Sequence, residues 1–245
     1  MELDVLQANQ PRDKTSKEPV GWTVWDAIGV LVVWLVFQGV AAAAVFALRL
    51  QIDNPLVSTG LLCAFPILLT ALTIVWVRGK GAGALSQLNG GHRPTLRDAI
   101  AGIFYGLVGA VLITFVVGEG LRLLLRFFGL ELPPMQEELR ELVTSQAAPL
   151  AIVAITGLAP IAEELFFRGM LFQSLQSRFT FWPAATASGI VFGLVHAHPL
   201  VTVVTAVLGV YLAWIFRRHG TILVPILAHA IFNTLGVVLI RAGLG

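Results

Sequence analysis

The strongest constraint on this chain is the length of its charge-free runs. Residues 27–48, 54–77, 99–118, 142–162, 179–216 and 219–240 contain no Asp, Glu, Lys or Arg, giving runs of 22, 24, 20, 21, 38 and 22 residues. A helix needs about 20 mostly apolar residues to cross the hydrocarbon core of a bilayer. The longest run has room for two short spans that turn near His198 and Pro199. Lipid offers backbone amides no partners, so every span must be helical. The pattern predicts an all-α polytopic membrane protein enclosing an intramembrane polar cavity. It has seven transmembrane helices, or eight if one segment is re-entrant. Composition agrees: 57% of the residues are hydrophobic and 12% are charged, whereas about 25% are charged in a soluble domain. That is too little charge to cover a water-facing surface, which argues against a soluble globular enzyme and against disorder.

The net charge of +2 is too small to indicate nucleic-acid binding. The single cysteine, Cys63, lies in an apolar run and excludes both an internal disulfide and a cysteine-ligated metal. Residues 1–23 read as a polar cytoplasmic tail and 24–245 as one transmembrane domain, with the chemistry-bearing motifs in 149–241. The tail carries Arg12, Lys14 and Lys17, and the first apolar run is too long for a signal peptide. With the N-terminus inside, ten Lys and Arg fall in cytoplasmic segments and five outside, which favours that orientation. An integral membrane protein of a prokaryotic plasma membrane is expected. Met135, Leu139, Leu142 and Val143 form an amphipathic stripe after Pro133 and Pro134, suited to the membrane interface. Gly102, Gly106 and Ala110, and Gly189 and Gly193, are spaced for close helix packing. Trp22, Trp25, Trp76, Trp182 and Trp214 lie near span ends and read as an interfacial belt, while His92 and His219 read as solvated.

The informative residues are ionisable groups inside apolar helices. Each costs about 2.5–3.5 kcal/mol at mid-bilayer on insertion scales, so several together need a reason. In "AEELFFRGM", Glu164 and Arg168 are four apart and share a helix face. Glu163 is turned about 100° away and has no partner on its own helix. A carboxylate unpaired in a low-dielectric site holds its proton more tightly, which suits a general base near neutral pH. If the next two helices form an antiparallel hairpin, His196 falls level with Glu163, because they are equidistant from a turn near residue 179.5. In "FGLVH", Phe192 shares a face with His196; in "HAIFN", His229 shares one with Asn233. Two imidazoles, an amide and an acid could hold a water, a metal ion or a developing oxyanion. Glu119 with Arg122, and His198 beside Pro199, read as structural.

"EELFFR", "FGLVH" and "HAIFN" together resemble the CAAX protease and bacteriocin-processing family of intramembrane proteases, also called Abi. Its pattern is EExxxR, FxxxH and HxxxN or HxxxD, and all three occur here in order. The resemblance covers about the C-terminal hundred residues. It implies that Glu163 activates water for attack on a peptide carbonyl. His196 and His229 would then hold the water and reacting groups, Asn233 would stabilise the oxyanion, and Glu164, Arg168 and Phe192 would shape the site. The family is often labelled metalloprotease. Glu163, His196 and His229 are the ligands a metal would use, so the cofactor is zinc or none. HExxH, the stronger zinc signature, is absent.

The expected function is an intramembrane endopeptidase, CAAX prenyl protease-like, acting on a membrane-associated peptide or protein with or without a lipid group. Two other classes compete. One is a non-catalytic membrane scaffold or bacteriocin-immunity protein, which an intact polar set disfavours. The other is a transporter or proton relay, which would be expected to show paired halves or matching broken helices.

Overall fold

A computed structural model describes residues 20–52, 54–130 and 136–243. The described residues are helical and carry no strand. Among the described residues six helices are long and apolar enough to cross a membrane, and a seventh apolar helix is shorter. The long ones are α1 (Val24–Ala47), α2 (Pro55–Arg78), α4 (Leu96–Phe127), α6 (Ala148–Gln176), α8 (Pro199–His219) and α9 (Leu223–Arg241). The shorter one is α7 (Phe181–Leu194). Its 14 residues span about 21 Å, less than the roughly 30 Å of a bilayer core. Two further short helices are α3 (Ala84–Leu88) and α5 (Gln136–Thr144). The seven apolar helices correspond one to one with the charge-free runs, the longest run splitting at Val195–His198.

Local chemistry sets the helix starts. Thr23 and Thr95 each open a capping box, accepting from the amide of Asp26 or Asp98 while that carboxylate takes the threonine amide. Asn54 caps α2, with Pro55 in the first helical position, where no amide is needed. Gly220 closes α8 in the left-handed conformation that a β-carbon disfavours.

Two tight crossings organise the bundle. In the first, α4 lies on α9: a β-carbon on Gly106 would sit 2.6 Å from Ile231 Cβ and 2.8 Å from the Ala228 carbonyl oxygen. In the second, α7 lies on α8, with Gly193 against the Thr202 carbonyl and Gly189 against Ala206. Small residues allow backbones to approach closely in lipid, where dispersion replaces the hydrophobic effect as the driving force. The spacing of those glycines predicted both contacts. The core lies around α6, whose Phe166, Phe167, Met170 and Phe172 are fully buried, whereas α1 presents Val32, Val36 and Val40 outward.

Several expectations are corrected. Residues 1–19 of the N-terminal segment lie outside the described residues, but Trp22 is not part of a tail or a belt. It is buried, and its indole N–H donates to the Met170 carbonyl at 2.9 Å. Helix α4 continues past its charge-free run, carrying the Glu119–Arg122 pair at 2.8 Å, as a structural reading of those residues requires. His92 and His219 both face Asp98, at 3.7 and 3.4 Å, instead of standing free in water. Met135 of the amphipathic stripe is outside the described residues, while α5 forms over the rest of that stretch.

Candidate active site

The site is built on α6, which is not a uniform α-helix. Ala154–Leu158 and Leu165–Phe172 are wound as π-helix, on either side of an α-helical turn bearing Glu163 and Glu164. Such stretches are rare and favour functional sites, because the wider turn shifts side-chain direction and loosens the carbonyl ladder.

The two carboxylates have different surroundings. Glu164 is fully buried, while the Glu163 side chain keeps 22% of its exposure. Arg168 Nη1 is 3.0 Å from Glu164 Oε1, although the pair lacks hydrogen-bond alignment. Arg168 Nη2 donates to the Gly209 carbonyl on α8 at 3.1 Å, and the guanidinium lies 4.5 Å from the centre of the Phe192 ring. Burying an ion costs several kcal/mol, so a buried pair persists only with such additional partners. Glu164 supplies a third link: its Oε1 accepts from His229 Nδ1 at 2.9 Å. A carboxylate can only accept, so the imidazole hydrogen sits on Nδ1. His229 Nε2 is thereby turned toward Glu163 Oε2, 3.7 Å away. That separation is too long for a direct hydrogen bond.

Phe192 joins the remaining parts. Its ring makes edge contacts with Phe167 at 4.9 Å, His196 at 4.9 Å and His229 at 5.7 Å. Its carbonyl accepts from His196 Nδ1 at 2.8 Å, which leaves Nε2 of that imidazole available. His196 lies just beyond the end of α7. A hairpin turning near residue 179.5 predicts that His196 lies level with Glu163; the structure connects the two through Phe192 and His229, without a direct hydrogen bond. Asn233, one turn along α9 from His229, donates to the Ile155 carbonyl at 2.9 Å. Ile155 is within the first π-helical stretch, and the amide retains a second N–H.

Glu163, Glu164, Arg168, Phe192, His196 and His229 thus form one connected cluster across three helices. Asn233 ties α9 to α6 on the same helix as His229. A chelating set is not assembled: among the described residues no three His, Cys, Asp or Glu side chains are placed to hold one ion. Nδ1 of His229 and Nδ1 of His196 are committed to Glu164 and to the Phe192 carbonyl, which leaves Nε2 of each imidazole free. A cavity of about 320 Å³ opens between α2 and α6, lined by Pro66, Ile67, Thr70, Ala71, Leu158 and Ile161. Its lining is apolar, so it is not the polar cavity expected from the sequence. Sequence reasoning missed the π-helical stretches, the Ile155 carbonyl and the Gly209 carbonyl. Backbone groups leave no side-chain signature, and only the glycine at 209 hinted at a close approach.

The geometry defines a membrane-embedded cluster of acid and imidazole groups. Residues 145–235 match the Rce1-like family, described as type II CAAX prenyl endopeptidase Rce1-like. Over 94 residues the chain is 35% identical to a Bacillus subtilis (strain 168) protein named "Putative membrane peptidase YdiL". That stretch is 38% of this chain and spans 38% of the length of that curated relative. No solved structure matches the chain. The stretch matched by the Rce1-like family contains all three motifs, and both matches support the resemblance to the CAAX protease and bacteriocin-processing family.

Proposed function

We propose that this protein is an intramembrane endopeptidase that hydrolyses a peptide bond of a membrane-associated substrate, using water activated by Glu163. The observation that carries this reading is the division of labour between adjacent carboxylates. Glu164 is locked between Arg168 and His229, while Glu163 is accessible and faces the free nitrogen of that same imidazole. A water placed there donates one hydrogen to Glu163 Oε2 and the other to His229 Nε2. Its lone pair is then directed at a substrate carbonyl.

As the new C–O bond forms, the proton passes to Glu163. The negative charge on the former carbonyl oxygen is met by the free N–H of Asn233, while His196, whose Nε2 carries a lone pair, helps to hold the reacting groups. The C–N bond then breaks as Glu163 returns the proton to the leaving amine, which restores the carboxylate. Glu164 keeps His229 in the tautomer that accepts from water, a role for which buried carboxylates are well suited. The name of the matching family points to prenylated C-terminal peptides as the substrate class. The charge distribution of the loops supports a plasma-membrane protein with its N-terminus in the cytoplasm.

The test is cleavage of a farnesylated CAAX-type reporter peptide by the purified full-length protein in lipid. Turnover by wild type that disappears in Glu163→Gln, with folding intact, is expected. Equal turnover in the two would remove Glu163 from the chemistry.

A further inference from the structure

The connection between α7 and α8 carries a second imidazole that the proposed mechanism does not use. His198 occupies the position before the first turn of α8, yet its side chain makes no capping bond. Its carbonyl accepts from the Thr202 amide at 2.7 Å, so its backbone is committed to the helix. Both ring nitrogens are buried, and neither has a hydrogen-bond partner among the described residues. An imidazole in any protonation state offers at least one N–H, and a neutral ring adds one acceptor. Leaving such a group buried and unsatisfied is costly, because the water it gave up is not replaced. Buried polar groups in folded proteins are overwhelmingly paired, and among the described residues His198 is the one imidazole with both nitrogens buried and unpaired.

The backbone beside it is strained as well. Ala197 adopts φ +53°, the left-handed conformation, where a β-carbon is unfavourable. Strain of this kind persists where the surrounding structure imposes it, and it clusters at functional sites. Here it lies between His196, whose Nδ1 is fixed by the Phe192 carbonyl, and His198. One three-residue turn therefore aims two imidazoles with different commitments: one held by the protein through a single nitrogen, the other held through none.

We propose that His198 is a substrate-contacting residue, its imidazole hydrogen-bonding the backbone amide of a peptide that lies beside His196. The ring's donor and acceptor match the C=O and N–H that an extended peptide presents. A peptide backbone inside a bilayer has the same unmet requirement as the two ring nitrogens of this half-buried residue. The inference rests on the endopeptidase reading above, and it adds a residue outside the three motifs.

The experiment uses the full-length protein in lipid with the farnesylated reporter peptide. Wild type, His198→Leu and His198→Asn are compared by kcat, KM, thermal unfolding and direct binding of the labelled peptide. Loss of a substrate hydrogen bond is expected to raise KM and the peptide Kd about tenfold in His198→Leu, with kcat within about threefold. His198→Asn, which keeps a donor and an acceptor, should recover most of that loss. Thermal stability of His198→Leu should be equal to or above wild type, because the buried polar group had no partner to lose. A merely structural role would instead lower stability and leave KM unchanged. Unchanged KM and Kd in His198→Leu overturn the proposal while leaving the endopeptidase reading intact. Peptide binding that depends on His198 but is never followed by cleavage overturns the endopeptidase reading alone. A wild type that neither binds nor cleaves the peptide overturns both.

Discussion

Two clusters in this molecule are made of nearly the same parts. In one, Glu164 meets Arg168 and His229; in the other, Asp98 meets His219 and His92. The difference lies in what surrounds them. Glu164, Arg168 and His229 are essentially out of contact with solvent, and their partners come from α6, α8 and α9. Asp98 sits at the first turn of α4, where Thr95 supplies two of its hydrogen bonds and the His92 side chain is 54% exposed. Asp98 is itself buried, but its His92 partner reaches water, where such contacts are screened and weak. In the dry interior each partner is needed to neutralise the next, and orientation is set within narrow limits. The comparison teaches that a carboxylate–imidazole pair becomes a tool for chemistry only when burial enforces its geometry and an unlocked acid stands beside it.

The largest expected effect tests that last element. Glu163→Gln keeps size and shape but removes the base, and should lower kcat by about 10²–10⁴-fold. Its unfolding midpoint should stay near wild type, because Glu163 makes no direct hydrogen bond. The next effect concerns stability. Arg168→Met strands Glu164 as an uncompensated buried charge and should destabilise the protein by about 3–5 kcal/mol. Adding Glu164→Gln to that variant should restore much of the stability without restoring turnover, since His229 would lose its orienting carboxylate. Recovery of both together would mean that the buried cluster is only a lock. A smaller effect is expected at the α4–α9 crossing. Gly106→Val forces the helices apart and should cost about 1–3 kcal/mol, read by thermal unfolding, with a parallel fall in kcat as α9 shifts His229. The smallest belongs to the cluster at Asp98. Asp98→Asn should change stability by about 1 kcal/mol or less, the scale of a helix cap, and leave kcat unchanged. A large loss of turnover there would erase the contrast between the clusters.

Much of this was legible in the sequence because it depends on local chemistry. Charge-free runs predict apolar helices wherever a bilayer is the solvent, and each run found its helix. The i, i+4 spacing paired Glu164 with Arg168, and the glycine spacing predicted close crossings. Other features depend on how elements meet. The same spacing could not show that Glu164 serves His229 as well as Arg168, because that link joins residues 65 positions apart. Nor could it show that His92 and His219 share one carboxylate, since a histidine in a polar connection reads the same whether solvated or paired. The π-helical winding of α6 leaves no signal in residue type.

The sequence by itself therefore determined the solvent of this protein, the helical form of its spans and the residues able to carry acid–base chemistry. Hydropathy and side-chain identity act within a single turn or span. The tertiary structure decided which carboxylate is locked and which is free, which nitrogen of His229 faces the acid, and which histidine is left without a partner. Those outcomes arise from contacts between helices distant in the chain, where burial and backbone carbonyls set the electrostatics and no local pattern records them.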